Sequence, residues 1–401
     1  MSDHIKKLVE SELKFKEIQA ELDTNINDVR ESTLHLVVEN AKLKSERQGY
    51  VAKINELMSA SDTIVTDPEL TLIFKPSQEN KGWGDALLFE PEVTTSILRN
   101  AIIVCGGRSG IINNDNEGFT IDWDNLTFIQ GPYPTGWGAS MKQVMGHLRN
   151  SKFISLGRRD WTASDNLVDG HNIYFKPGGD MLIEGNHFHD CAGNSQFANR
   201  PWENHVPRKL KLTFKDNIWS NCSWNPTGHG GGGSANLAMY SATDEGTFVD
   251  VSNCVWTNTI EWRGTAAAKV GASARGCIAM WNEAFYPAPS KNLVPDVNKY
   301  FGALHLKNSV IRTTKSDRSL ISIEGTREVV IENLQTNYIE VIDTEALAPA
   351  ITIDHKEDNP QRAKYIKIDP IDAPGYLTHN GAKIPLREGY SYKEEGYVPV
   401  Y

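Results

Sequence analysis

Residues 209–221 read Lys-Leu-Lys-Leu-Thr-Phe-Lys-Asp-Asn-Ile-Trp-Ser-Asn, and their centre, Phe214-Lys215-Asp216-Asn217-Ile218, reads as a strand, a turn residue and a second strand. The same order of apolar, any, Asn or Asp, any, apolar returns at Val251-Ser252-Asn253-Cys254-Val255 and Leu306-Lys307-Asn308-Ser309-Val310, and again at Ile331-Glu332-Asn333-Leu334. Ile183-Glu184-Gly185-Asn186-His187-Phe188 is a variant of it. The turn residues are unevenly spaced, 55 residues from Asn253 to Asn308 and 25 from Asn308 to Asn333. That suits a solenoid whose coils of about 20 to 25 residues carry insertions on one face. One coil cannot bury its inner side alone, whereas stacked coils share a core of Val, Ile, Leu and Phe, and Asn at equivalent turns can stack into hydrogen-bonded ladders. A β-sandwich or jelly roll also has many short strands, but hairpin signals such as Asn-Gly are scarce here. The fold expected for residues 101–340 is therefore mainly β, a parallel β-helix or solenoid.

Outside that region the composition changes twice. Residues 1–60 have almost no Gly and no Pro or Trp, and stepping by seven from Leu8 meets Phe15, Leu22, Val29, Leu36, Leu43, Tyr50 and Leu57. This unbroken apolar register predicts an N-terminal α-helical coiled coil. The row three residues earlier holds Ile5, Glu12, Gln19, Ile26, Thr33, Asn40, Arg47 and Ile54, so the second seam is weakened by polar residues. One long amphipathic helix cannot bury such a stripe by itself, and self-association through identical helices is expected, without the seam deciding between dimer and trimer. Residues 61–100 read as a linker or neck, and 341–401, richer in Pro and charge and closing on Tyr390, Tyr392, Tyr397 and Tyr401, as a C-terminal cap or tail.

The charge balance narrows the partners. With 41 Lys+Arg against 51 Asp+Glu, the net charge is −10, which argues against a nucleic-acid binder. No apolar run approaches the ~18 residues needed to span a bilayer, so membrane insertion is not expected. Met1-Ser2-Asp3-His4-Ile5-Lys6-Lys7 offers no apolar signal-peptide core, and manufacture in a cytoplasm is the expectation. The five cysteines, Cys105, Cys191, Cys222, Cys254 and Cys277, form no C-x-x-C pair and read as reduced, buried thiols.

Residues 118–258 resemble the core of the pectate lyase family, whose fold is a right-handed parallel β-helix. The resemblance is carried by Asp165-Asn-Leu-Val-Asp169, the strand that follows, and Asn186-His187-Phe188-His189-Asp190, with Gly118–Ile129 and Lys209–Asn221 similar to earlier and later coils. It implies calcium binding by Asp165 and Asp169, whose hard carboxylate oxygens suit that ion. It also shows departures. Ser155 stands near the place of a third carboxylate, Trp224 where the catalytic arginine belongs two residues before Pro226, and His229 in place of a second arginine. Without an arginine beside the sugar, proton abstraction next to a uronate lacks its base and its electrostatic partner.

Other groups invite a site. His187 and His189 alternate with Phe188, so both should point outward, and with Asp190 and His205 they suggest a metal or, more plainly, hydrogen-bonded turn histidines. Asp160, Asp165, Asp169, Glu184 and Asp190 could supply paired carboxylates for glycoside hydrolysis. Gly228–Gly233 lacks the Lys-Ser/Thr of a phosphate cradle and reads as a loop. Trp202, Trp224 and Trp281 lie in stretches rich in Pro and Asn, where an aromatic face beside amides and acids makes a carbohydrate platform, with His229 nearby. A coiled coil followed by a pectate-lyase-like β-helix looks like a bacteriophage fibre or tailspike. The resemblance implies a homotrimer that joins other virion structural proteins through its N-terminal region and contacts host surface polysaccharide. A depolymerase on the same scaffold is the alternative.

Overall fold

The computed structural model describes strands Thr63–Val65 and Thr71–Ile73 and then residues 85–105, 109–113, 118–130, 137–156, 171–191, 193–199, 209–222, 235–241, 246–258, 276–282, 301–313, 319–338, 349–354 and 362–401. The chain separates into Met1–Ser61 and Asp62–Tyr401, and all described residues belong to the second unit. The whole heptad row, Leu8, Phe15, Leu22, Val29, Leu36, Leu43, Tyr50 and Leu57, thus lies outside the described residues.

The second unit is mainly β and built from parallel ladders, an architecture compatible with a β-solenoid. Following the chain, each coil visits three ladders in turn. The first includes Asp85–Phe89, Ser109–Asn113, Asn194–Asn199, Leu237–Ser241, Ile278–Asn282, Ile321–Glu324, Ile351–Ile353 and Tyr376–His379. The second includes Thr95–Arg99, Phe119–Asp124, Leu210–Lys215, Thr247–Ser252, Phe301–Lys307, Thr326–Glu332 and Tyr365–Ile368. The long strands Trp137–Arg149 and His171–Glu184 run through both, which joins the two ladders into one sheet. The third is a separate nine-stranded sheet running from Thr71–Ile73 to Gln335–Tyr338. Parallel pairing begins at Thr63 and continues through Ile351–Ile353 and Tyr365–Ile368, so strands occur within both the segment read as a neck and the segment read as a cap.

Period-two alternation orients every coil. In Phe119–Asp124, Phe119, Ile121 and Trp123 are buried, while Thr120, Asp122 and Asp124 face outward. Along the inside of the third ladder, Phe128, Phe153, Phe188, Trp219 and Trp256 stack in register, with ring centres 4.6, 4.8, 5.2 and 5.1 Å apart. Offset aromatic stacks add to the area that they bury, about 150–250 Å² per ring. Trp123 and Trp219 keep their indole N–H satisfied by donating to Ser96 and Ser195 at 3.0 Å. The five cysteines are all reduced and buried, and burial pushes the Cys254 and Cys277 thiols up to about 12.

The passage from second to third ladder takes two residues in every described coil. The first is Asn100, Asn125, Asn150, Gly185, Asp216, Asn253, Asn308 or Asn333, all with φ between 48° and 66°. That left-handed conformation penalises a Cβ, and among non-glycine residues Asn and Asp tolerate it best. The second residue turns into the core, and here the stacking anticipated for asparagine divides in two. On the outside, the side-chain amides of Asn125 and Asn333 donate to Asn100 and Asn308 at 2.7 and 2.9 Å. On the inside, the backbone N–H groups of Ser151 and Asn186 donate to the Asn186 and Asn217 side chains at 2.8 and 3.0 Å. Asn217 returns its amide N–H to the Ile183 carbonyl at 2.7 Å. These bonds satisfy the backbone of a buried bend.

The last coil is closed by antiparallel strands. Ala382–Pro385 pairs with Tyr376–His379 across Asn380-Gly381, and Tyr390–Lys393 pairs with Tyr365–Ile368. Both central turn residues have positive φ, as a two-residue hairpin needs. The final residues then fold back over the outside of the second ladder. Glu328 accepts hydrogen bonds from the Tyr397 hydroxyl at 2.8 Å and from the backbone N–H groups of Val400 and Tyr401 at 2.7 and 3.2 Å. The Tyr401 hydroxyl reaches Asp250 at 2.9 Å, and its ring lies 5.0 Å from that of His305.

Candidate functional site

Outward strand residues of a solenoid normally meet solvent, but along part of the first ladder they do not. Lys176, Gln196 and Tyr240 point away from the core and are each at most 8% exposed. Tyr240 packs with Ala198 and Ala238, and with Tyr174 at their side, as an apolar cluster separate from the main core. Register explains the grouping. Tyr174 pairs with Gln196, Gln196 with Ala238, and Ala198 with Tyr240 on successive coils, about 4.8 Å per step. Tyr240 is in turn in register with Trp281, and Trp281 with Glu324.

The upstream edge of this cluster is aromatic and cationic. The rings of His171 and Tyr174 stack at 5.1 Å, Trp137 stands 6.1 Å from Tyr174 and 5.9 Å from His171, and Lys176 Nζ lies 5.3 Å from the Tyr174 ring centre. His171 Nδ1 is held against the Asn194 side-chain oxygen. Both residues are buried, so the imidazole is fixed in orientation. The result is a layer of ring faces with amide and ammonium groups beside them, outside the core yet, at Lys176, Gln196 and Tyr240, withdrawn almost wholly from solvent. In sequence, 157–170, 223–234 and 259–275 lead into first-ladder strands and 200–208 and 283–300 follow them, and all five connections lie outside the described residues.

Most of the residues marked by sequence fall in those connections. Asp165, Asp169, Trp202, Trp224 and His229, and with them Asp160 and His205, lie outside the described residues. Trp281 is placed by its strand, Ile278–Asn282, on the first ladder beside Tyr240, and its side chain is not described. Ser155 sits at the corner that leaves the third ladder, with φ 56° and its hydroxyl donating to Asp190 at 3.3 Å. Glu184 and Asp190 do not form a carboxylate pair. Glu184 lies on the outside of the second ladder with Lys215 at 2.5 Å, and Asp190 at the corner after the third. Among the described residues no group of three or more His, Cys, Asp or Glu side chains is placed to hold a metal ion.

His187 and His189 do point outward, with Phe188 fully buried between them. Burial first, then the nearby His189 and Lys152, hold the His187 imidazole below its ordinary value. At the far end of the first ladder, burial raises the Asp354 carboxyl to about 6, yet its oxygens accept backbone N–H bonds from Gly325 at 3.3 Å and Ala363 at 2.6 Å. That carboxyl ties a corner together and is not turned toward the aromatic layer. Sequence reading missed Trp137, His171, Tyr174, Lys176, Gln196 and Tyr240 as a group. Alternation was the available signal for Tyr174 and Lys176, since Ile173 and Phe175 claim the core, but not for His171, which shares their parity and lies at a register shift between His171 and Ile173.

No protein-family model matches this chain, and neither a curated protein nor a solved structure is detectably similar to it.

Proposed function

We propose that the chain is a structural and adhesive virion protein, a subunit of a bacteriophage fibre or tailspike, whose first-ladder face contacts a host surface glycan. In this reading the solenoid is a right-handed parallel β-helix of the pectate-lyase type, the N-terminal heptads join three copies, and that same region attaches them to other virion proteins. The observation that carries the proposal is the aromatic cluster around Tyr174 and Tyr240. Sugar rings present apolar C–H faces that stack on aromatic rings, and their hydroxyls pair with amide and ammonium groups such as Gln196 and Lys176. Trp281, one coil beyond Tyr240, extends the row, and Trp202, Trp224 and His229 belong to connections that join this ladder. Calcium at Asp165 and Asp169 is part of the family pattern, but Trp224 in the arginine's place and Ser155 in the third carboxylate's place speak against pectate cleavage.

A depolymerase is the second reading, favoured by Glu324, a buried carboxylate that continues the row from Tyr240 and Trp281. Surface plasmon resonance against host capsule and lipopolysaccharide tests the first. Binding should weaken at least ten-fold in Tyr240→Ala and in Lys176→Ala with an unchanged β-sheet circular dichroism signal, and absence of binding to any host glycan would refute it. Release of oligosaccharides from the bound polysaccharide, abolished in Glu324→Gln, would replace adhesion with catalysis.

A further inference from the structure

We propose that His187 and His189 form a two-imidazole site for a divalent transition-metal ion of the zinc, nickel and copper class on the outer face of the third ladder. This site lies on a different ladder from the proposed glycan surface and does not depend on that reading. Strand alternation puts both rings on one side, and the residue between them keeps them there. Phe188 is fully buried and stacked between Phe153 at 4.8 Å and Trp219 at 5.2 Å, so the strand cannot roll.

The spacing of the two rings matches what a metal demands. Their centres are 5.5 Å apart. A ring centre lies about 3.2 Å from a zinc bound through a ring nitrogen, so a tetrahedral angle places two ring centres about 5.2 Å apart. A change of about 0.3 Å is within ordinary side-chain adjustment and needs no movement of the strand.

The surroundings select the kind of ion. Ser220, on the next coil, holds His187 Nε2 at 2.9 Å, the arrangement in which a metal-bound imidazole is steadied through its second nitrogen while Nδ1 coordinates. His189 is exposed, and its backbone carbonyl accepts from the Ser155 N–H at 2.9 Å while its ring stands toward solvent. Lys152 is in register with His187 one coil earlier and opposes a cation held by charge alone, and the Asp190 carboxylate is engaged by Ser155. Calcium and magnesium, which seek several oxygens, are therefore poor candidates, and an imidazole-seeking ion is the fit. Two protein ligands leave open positions toward solvent, to be filled by water or by a carboxylate or imidazole of a second molecule.

Copper(II) added at one equivalent to the full-length protein provides the test. Electron paramagnetic resonance should show coupling to two equatorial nitrogens, falling to one in His187→Ala and in His189→Ala. Zinc titration calorimetry should show each variant binding at least ten-fold more weakly. His147→Ala, an exposed histidine on the second ladder, should change neither readout. Single-nitrogen coupling in the unaltered protein, or undiminished binding in the His187→Ala/His189→Ala double variant, would overturn the proposal. Both side chains lie outside the core, so an unchanged circular dichroism spectrum separates loss of the site from loss of the fold.

Discussion

An asparagine at a left-handed corner does two things that alanine cannot: it tolerates positive φ and it bonds to its counterpart one coil away. Asn308→Ala should cost about 1 kcal/mol, because alanine lacks the polar side chain that lets asparagine hold the left-handed conformation, and Asn308→Gly less, because glycine adopts it freely and only the exposed side-chain bond is lost. Asn217→Ala should cost more, about 2–3 kcal/mol, since it strands the buried Asn186 N–H and the Ile183 carbonyl. Urea unfolding monitored by tryptophan fluorescence measures the order. The sequence pattern flagged Asn308 because its residue type answers to the left-handed backbone at its own position. Asn217 carried no such mark, because its partners, Asn186 and Ile183, lie one coil away, and neither did Asp354, whose partners, Gly325 and Ala363, come from other parts of the chain. Its carboxyl, near Glu324, Arg362 and His379, is raised from 3.8 to about 6, so the folded state binds its proton more tightly than the unfolded chain. That contribution is complete below about pH 4 and is lost as pH rises through 6, at most about 3 kcal/mol in all. The stability of the wild-type protein relative to Asp354→Asn should therefore grow as pH falls from 7.5 to 4.5. The buried His379 imidazole, shifted downward and 3.9 Å from this carboxyl, pulls the opposite way, so a His379→Gln background isolates the Asp354 contribution.

Within a ladder, neighbours on successive coils depend on one another. Phe188→Ala removes the middle ring of a five-ring stack and should cost about 3–5 kcal/mol. In a solenoid, stability is approximately a sum of unit and nearest-neighbour terms, so the break should also uncouple the coils before it from those after it. Two urea transitions in the variant, where the unaltered protein shows one, would be the signature, and a single shifted transition would show that the other two ladders suffice to couple the coils. The inward Phe188 and the outward His187 and His189 were legible because alternation is a property of three consecutive residues. The sharing of Trp137–Arg149 and His171–Glu184 between two ladders was not. The turns between the two ladders lie at Pro177-Gly178-Gly179 and at Gln143 and Gly146, both with positive φ, where the pairing shifts register, and the sequence reading passed over these residues because strand assignment continues through them. The outside of the second ladder was equally silent. There Asp122 joins Arg149 at 2.7 Å and also Arg99, which holds its carboxyl below the usual range, although the three residues come from three coils.

Across the whole chain, the contrast between residues 1–60 and the remainder makes separable roles testable. Leu36→Asp or Leu43→Asp should weaken self-association while leaving the β-sheet circular dichroism signal intact, because a charge in an apolar seam costs several kcal/mol and the β core lies elsewhere. Sedimentation velocity at micromolar concentration reads the first effect, and concurrent loss of the β signal would show that the two parts are not independent. The parallel-strand architecture was legible at this scale because each coil repeats the same corner chemistry. The aromatic layer was not, because it is assembled from residues 137 to 324 by a register that only stacking creates.

The hydrogen bonds of the three ladders all point along the direction in which coils stack, and this sets how the structure yields to pulling. Tension along that direction opens one coil at a time, since junctions in series bear the same load and the weakest yields first. The coils are unequal, so the lengths they release would be too: at most about 85 Å for the 25 residues from Asn308 to Asn333 and about 190 Å for the 55 from Asn253 to Asn308. A force–extension trace of this protein should thus be a barcode of its insertions. The strap from Tyr397 to Tyr401, fastened to Glu328 and Asp250, acts as a stitch across that barcode, and cutting it should lower the force needed to free the final coils.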